Sequence, residues 1–280
     1  MTDHHRFVSR RELFGWFGAG LLSARGFAVP QGQAPEFAAL DHVEFYVSNV
    51  EKSRDFFVRI FGNTLRSRNG KRYLKLGSTY MAFELPRGAG GEIKVDHFSV
   101  AVKRLEMPRL HAFLEQRGVT YQDYPSGRDT GVNDPDGIRT QLSPEDGWSL
   151  LNPATFLAES VPMPDEPIFR PTGLDHILLN VSDPQKSVAF YQKFLGPATP
   201  GNNGRIWFQV GTSRIGLLQT PAGQRAGVNH FCVSAEAFNY DAVVKRLQQM
   251  GAKVETPEVA GAAEFRDPDG SLIQVMGPRA

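Results

Sequence analysis

One cysteine, Cys232, is all that the 280 residues carry. The lack of a second excludes an intramolecular disulfide and any zinc site built on thiolates. Metal chemistry in this chain therefore has to use histidine, carboxylate and amide ligands. An excess of one charge is missing too, because 31 Lys and Arg face 30 Asp and Glu, for a formal net charge of +1. Without a basic block the phosphate-neutralising footprint of a nucleic-acid binder is absent, which excludes nucleic acid as a partner. No apolar run reaches the roughly 20 residues of a membrane-crossing helix. What is present is a chain 41% hydrophobic and 22% charged, too apolar for a disordered protein. Its length allows one large domain or two ordinary ones.

Residues 1–36 differ from the rest. Arg6, Arg10 and Arg11 precede a glycine-rich, moderately apolar stretch from Leu13 to Leu22, and Arg25, Pro30 and small residues follow, in the order of an export signal. Ser9-Arg10-Arg11-Glu12-Leu13-Phe14 resembles the twin-arginine leader motif, whose arginine pair is read by a translocase that exports folded proteins. The resemblance implies a leader and flexible N-terminus over 1–36, the twin-arginine translocase as a partner, and a periplasmic or otherwise exported destination. Ala28 is the expected last leader residue. A protein that folds before export needs no oxidative folding, which agrees with the lone cysteine. The alternative reading is an amphipathic N-terminal helix with two surface arginines.

Self-similarity organises everything else. Leu40-Asp41-His42-Val43-Glu44-Phe45-Tyr46-Val47-Ser48 aligns without gaps to Leu174-Asp175-His176-Ile177-Leu178-Leu179-Asn180-Val181-Ser182, at an offset of 134. Farther on, Asp134-Pro135-Asp136-Gly137 matches Asp267-Pro268-Asp269-Gly270 at an offset of 133, as His97 matches His230 and Gln141 matches Gln274. Two homologous halves follow, 38–148 and 172–278, joined by a Pro-rich linker over 149–171. Each half is itself double, since His42 and His97, like His176 and His230, each open a similar apolar strand. In the first strand Val43, Phe45 and Val47 share one face, and His42, Glu44 and Tyr46 the other. A helical pattern follows each, stopped by Gly62, Gly118, Gly196 or Gly251, and short strands come after it. The chain reads as α+β, with four βαβββ units.

A His on the first strand of each unit, with Asp-Pro-Asp-Gly turning into the last strand of each half, resembles the vicinal oxygen chelate superfamily. That superfamily includes glyoxalases, bleomycin resistance proteins and extradiol dioxygenases. The resemblance implies two tandem glyoxalase-like domains, in which paired units curl into cups that hold a divalent metal between first-strand and last-strand ligands. Carried over by position, the first-strand ligands are His42, His97, His176 and His230. The last-strand ligands are Glu84, Gln141, Gln219 and Gln274. The resemblance leaves open whether units pair within a half or across halves. His42 and Glu84 therefore have either His97 and Gln141 or His230 and Gln274 as partners.

Of these eight positions only Glu84 is anionic, and a divalent ion among neutral ligands keeps its full charge. One working metal site is expected, built on His42 and Glu84, with His176 and Gln219 in a weaker second one. Fe, Zn, Ni, Co and Mn all suit such a donor set. The metal would chelate two neighbouring oxygens of a small substrate, and the resemblance implies that Glu84 acts as the base. Glu44, Tyr46, Tyr73, Asn180 and Trp207 are the expected pocket lining. Two functions stay open: a metal-dependent lyase, isomerase or dioxygenase-like enzyme, and a binder of the resistance type that sequesters a small molecule without turnover. The protein is expected as a monomer or homodimer.

Overall fold

In the computed structural model the described residues are 34–279, apart from Ala89 and Pro164, and the leader with Arg10, Arg11 and Ala28 lies outside them. The first unit runs β1 (Phe37–Tyr46), α1 (Val50–Phe61), β2 (Leu65–Arg68), β3 (Lys71–Leu76) and β4 (Thr79–Glu84). The second runs β5 (Lys94–Val102), α2 (Met107–Gln116), β6 (Tyr121–Asp123), β7 (Thr130–Asn133) and β8 (Arg139–Pro144). A bridging segment follows, with α3 (Gly147–Leu150) and β9 (Leu157–Glu159). The third unit is β10 (Pro171–Val181), α4 (Pro184–Leu195), β11 (Ala198–Pro200), β12 (Ile206–Val210) and β13 (Ser213–Gln219). The fourth is β14 (Gly227–Ala235), α5 (Tyr240–Gln249), β15 (Lys253–Glu255), β16 (Ala263–Arg266) and β17 (Leu272–Met276). This is the expected α+β architecture of two tandem glyoxalase-like domains.

Helix boundaries follow local chemistry. Asn49 and Asp183 accept backbone N–H groups of Lys52 and of Gln185 and Lys186 at the starts of α1 and α4. Gly62 ends α1 at a φ of +99°, a conformation that costs glycine nothing.

Each half makes one sheet, of order β6-β7-β8-β5-β1-β4-β3-β2-β9 in the first and β11-β12-β13-β10-β14-β17-β16-β15 in the second. The joints are antiparallel β1/β5, with Glu44 opposite His97, and β10/β14, with Leu178 opposite His230. Units therefore pair within a half, and the crossed arrangement does not occur. The stretch 149–171, expected as a linker, is partly built into the first half, because β9 pairs with β2 at the edge of its sheet.

The period-2 alternation sends Val43, Phe45 and Val47 to a face that is sealed from water. These faces of the two sheets pack on each other with the helices between them, as in Phe45 against Phe231 at 5.4 Å and Phe56 against Phe265 at 6.2 Å. One apolar core spans both halves. Reciprocal contacts reproduce the repeat as a pseudo-twofold seam. Ser78 N–H donates to Thr172 O at 3.1 Å and Thr212 N–H to Ala38 O at 3.0 Å. A Cβ at Gly211 would lie 1.7 Å from the Ala38 carbonyl oxygen, which is why this turn is glycine. The Asp-Pro-Asp-Gly turns belong to the same seam. Asp269 accepts from Ser48 N–H at 2.9 Å, and Asp136 from Ser182 N–H at 2.8 Å. The opposite sheet faces, carrying the histidines, form two cups.

Candidate metal centre

In the first cup the register of β1 and β5 brings His42, Glu44 and His97 together on one face. One ligand atom from each lies within 4.8 Å of the others, and all three residues are buried. The histidines are aimed by their preceding residues: Asp41 Oδ2 lies 2.6 Å from His42 Nδ1, and Asp96 Oδ2 2.8 Å from His97 Nδ1. An Nδ1–H donated to a carboxylate leaves the Nε2 lone pair for a ligand, the usual backing of a metal-bound imidazole. His97 Nε2 and Glu44 Oε1 are buried without a hydrogen-bond partner, and His97 Nε2 is 3.7 Å from Glu44 Oε2. An orphaned buried acceptor is costly, and two of them converging in one cup fit a cation. Burial pushes the Glu44 carboxyl up, but His97 and Lys71 outweigh burial and hold it below the usual carboxylate range.

Glu84, expected as the carboxylate ligand, does not join this cluster. It pairs in register with Tyr46, one pleat beyond Glu44, and its carboxylate accepts from Arg87 Nη2 at 2.7 Å. The β4 position opposite His42 belongs to Tyr80, whose ring stacks on the imidazole at 4.5 Å. The anionic member is Glu44, expected only as pocket lining. Gln141 lines the cup and donates Nε2–H to Asp129 at 3.1 Å, which turns its oxygen away from that carboxylate. Tyr73 lines the cup as expected, whereas Tyr46 sits at its end, opposite Glu84 and Lys94.

The second cup repeats the backing with Asp175 on His176 Nδ1 at 2.5 Å and Asn229 on His230 Nδ1 at 2.7 Å. The two Nε2 atoms are 3.2 Å apart. Burial lowers the His176 imidazole below its ordinary range, and takes His230, with the charge of His176 beside it, down to about 3. Gln274 donates to Glu264 at 2.8 Å, and its Oε1 is buried without a partner. Gln219 is not part of the cup. It pairs with Val181, on the core-facing parity, and donates to Ser182 O at 2.9 Å. Leu218 holds the register position opposite Asn180, so the expected ligand was one residue out, and one residue reverses the face. Trp207 packs edge-on to His176 at 5.2 Å, and Asn180 binds Asn229 at 3.2 Å at the cup's edge. Among the described residues the second cup's ligand group is Asp175, His176 and the buried Cys232, without His230, and Asp175 is tied to Arg279 at 2.5 Å.

The first cup opens into a cavity of about 600 Å³. One wall is the bridging segment after β8, where Leu150, Leu151 and Phe156 line the cavity and Trp148 packs with Tyr73 and Tyr80. Arg66 Nη1 fastens that wall by donating to Trp148 O at 2.9 Å and to Leu151 O. Asp41 Oδ1 fastens it as well, accepting Gly147 N–H at 3.0 Å, where a Cβ on Gly147 would come within 2.4 Å of the carboxylate. The preceding Asp or Asn of each histidine, Lys71, Tyr80, Glu264 and this wall are site features that sequence reasoning missed. The first was visible as Asp-His, Asp-His, Asp-His and Asn-His at 41, 96, 175 and 229.

Comparison with known proteins agrees with this architecture. Residues 173–275 match the Glyoxalase/Bleomycin resistance protein/Dioxygenase superfamily. The metallothiol transferase FosB of Shouchella clausii (strain KSM-K16) is 30% identical over 115 residues, covering 37% of this chain and 78% of that protein. The 2,3-dioxygenase LapB from Pseudomonas sp. KL28 superposes with a TM-score of 0.65 at 17% identity, over 88% of this chain and 94% of that one. The Mn(II)-bound glyoxalase from Novosphingobium aromaticivorans gives 0.64 at 16% identity, over 86% and 82%.

Proposed function

Because the chain belongs to the glyoxalase/bleomycin resistance protein/dioxygenase superfamily, we propose that it is a divalent-metal-dependent enzyme acting on a small substrate with neighbouring oxygens, and that its first cup is the working site. The observation that carries this reading is the convergence of His42, Glu44 and His97, with two buried acceptor atoms unsatisfied. Two histidines and one carboxylate on one face suit Fe(II) or Mn, and also Zn, Co or Ni. When bound, the metal supplies Lewis-acid polarisation of two adjacent substrate oxygens. The chain's residues do the rest. Asp41 and Asp96 hold the imidazoles in one tautomer, Glu44 supplies the balancing negative charge, and Tyr80 and the bridging wall exclude water from one side. The second cup, whose clustered carboxylate Asp175 is already held by His176 and Arg279, ranks below the first for metal.

The test is to strip the protein with chelator, reload it singly with Fe(II), Mn(II), Zn(II), Co(II) or Ni(II), and screen thiol adducts, epoxides and catechols for turnover. Activity that appears with one metal and is lost in His97→Ala supports the proposal. A protein that binds these compounds equally well with and without metal, and turns none over, is the sequestering type. One observation favours that second reading: Lys71 already neutralises Glu44 through an ion pair.

Export is part of the proposal on the strength of Ser9-Arg10-Arg11-Glu12-Leu13-Phe14. Cell fractionation of a double Arg10→Lys, Arg11→Lys variant checks it. Retention in the cytoplasm is expected, and unchanged distribution contradicts it.

A further inference from the structure

We propose that the first cup selects an anionic ligand, a carboxylate or a phosphate-type group on a flat apolar body, with Arg68 and Arg128 receiving the charge. This rests on the first cup being the working site and adds the ligand's charge and shape. The β2/β3 hairpin turns one basic face to the cup. Arg66 pairs with Tyr73 and Arg68 with Lys71 in register, so these side chains, with Lys75, share a side. Two of these cations are engaged by oxygen acceptors, Arg66 by two carbonyls and Lys71 by Glu44, and Lys75, above the Trp148 ring at 6.0 Å, does not line the cavity. Of the cup's carboxylates, Asp41 and Asp96 are held by histidines and Glu84 by Arg87, while Asp129 accepts from the neutral donors Gln141 and Ser126. Among the described residues, Arg68 and Arg128 line the cavity with no carboxylate within 4.0 Å.

Repetition of the fold does not demand this charge. The residues of the second half equivalent to Arg66, Arg68, Lys71 and Lys75 are Pro200, Asn202, Arg205 and Gln209, and Arg205 is paired with Glu258. The basic face is therefore a property of the first cup alone. Its shape partner is aromatic. Arg68 lies over the Phe156 ring at 5.0 Å and Tyr73 meets Phe156 edge-on at 5.1 Å, which makes a wall for a flat apolar group beside unpaired guanidinium charge.

The probes are benzoate, phenylphosphonate and the neutral benzyl alcohol, titrated calorimetrically into metal-free and Mn(II)-loaded protein. At least one anion is expected to bind, and the two arms tell carboxylate from phosphonate. Raising salt from about 50 to 500 mM should weaken binding several-fold. Arg68→Gln and Arg128→Gln, singly exposed substitutions, should together weaken it by about tenfold or more, with partial recovery in Arg68→Lys. Benzyl alcohol binding as tightly as the anions, or anion affinity unchanged in the double variant, overturns the inference. Mn(II) binding, followed in parallel by the loss of the free-ion electron paramagnetic resonance signal, separates the two readings. Anion binding that persists where Mn(II) fails to bind removes the metal reading and leaves this one standing.

Discussion

Asp41 serves two donors with two oxygens, His42 Nδ1 on one and Gly147 N–H on the other. An amide has one oxygen, so Asp41→Asn must give up either the aim of His42 or the hold on the bridging wall. Loss of such a backing carboxylate typically costs ten- to a hundredfold in metal affinity, and that range is expected for Mn(II) in a titration of this variant. An unchanged affinity would show that His42 is held by packing on Tyr80 alone. In the second cup the consequence is for stability. His230 titrates near 3 in the folded protein because burial disfavours its charged form. Its folded value lies below the unfolded one of about 6.5, so it destabilises the fold as pH falls from there towards 3, by at most about 1.4 kcal/mol per pH unit. Denaturant unfolding of wild type and His230→Gln between pH 7.5 and 4.5 should show a shallower decline in the variant. Parallel declines would contradict the assignment.

At the scale of elements, the repeat was legible and its departures were not. Four apolar strands, four helical patterns and their glycine stops were readable because burial imposes a period and helices need caps. The histidines and the glutamines at 141 and 274 came from the resemblance by position, with strand alternation in support. Glu44 was correctly placed on the histidine face by alternation, yet its role was not, because parity names a face and not a distance along it. Gln219 failed on parity itself: the turns before β4 and β13 are equally long, so the equivalent of Glu84 at the offset of 134 is Leu218, and Gln219 lies one residue beyond it. Helix α4 shows a smaller departure. Tyr191 donates its hydroxyl to the buried Asp134 at 3.3 Å, whereas the equivalent of Tyr191 on α1 is Phe57 and Asp267 Oδ2 is left without a partner. Burial raises both aspartates above the usual range. Phe57→Tyr should supply the missing donor and stabilise by about 0.5–1.5 kcal/mol in thermal or denaturant unfolding. A loss of that size instead would mean that the ring cannot reach Asp267.

For the whole molecule, covalent order says nothing about which units share a sheet, and the pairing became readable only from the β1/β5 and β10/β14 joints. Those joints leave two cups with different fates. The first keeps a carboxylate beside its histidines, a cavity and an unpaired basic rim. The second also has a cavity, of about 520 Å³ beside Asn180, Asn229 and His230, but its clustered carboxylate is Asp175, already tied to Arg279, and Trp207 packs against His176. The scarcity of anionic ligands led to the expectation of one preferred site on Glu84, whereas the carboxylate beside the first cup's two histidines is Glu44. Metal analysis of Glu44→Gln and Glu84→Gln beside wild type, after dialysis against limiting Mn(II), tests this most directly. About one tightly held ion per chain is expected in wild type and Glu84→Gln, with affinity at least tenfold weaker in Glu44→Gln. Metal retained in Glu44→Gln and lost in Glu84→Gln would contradict the account.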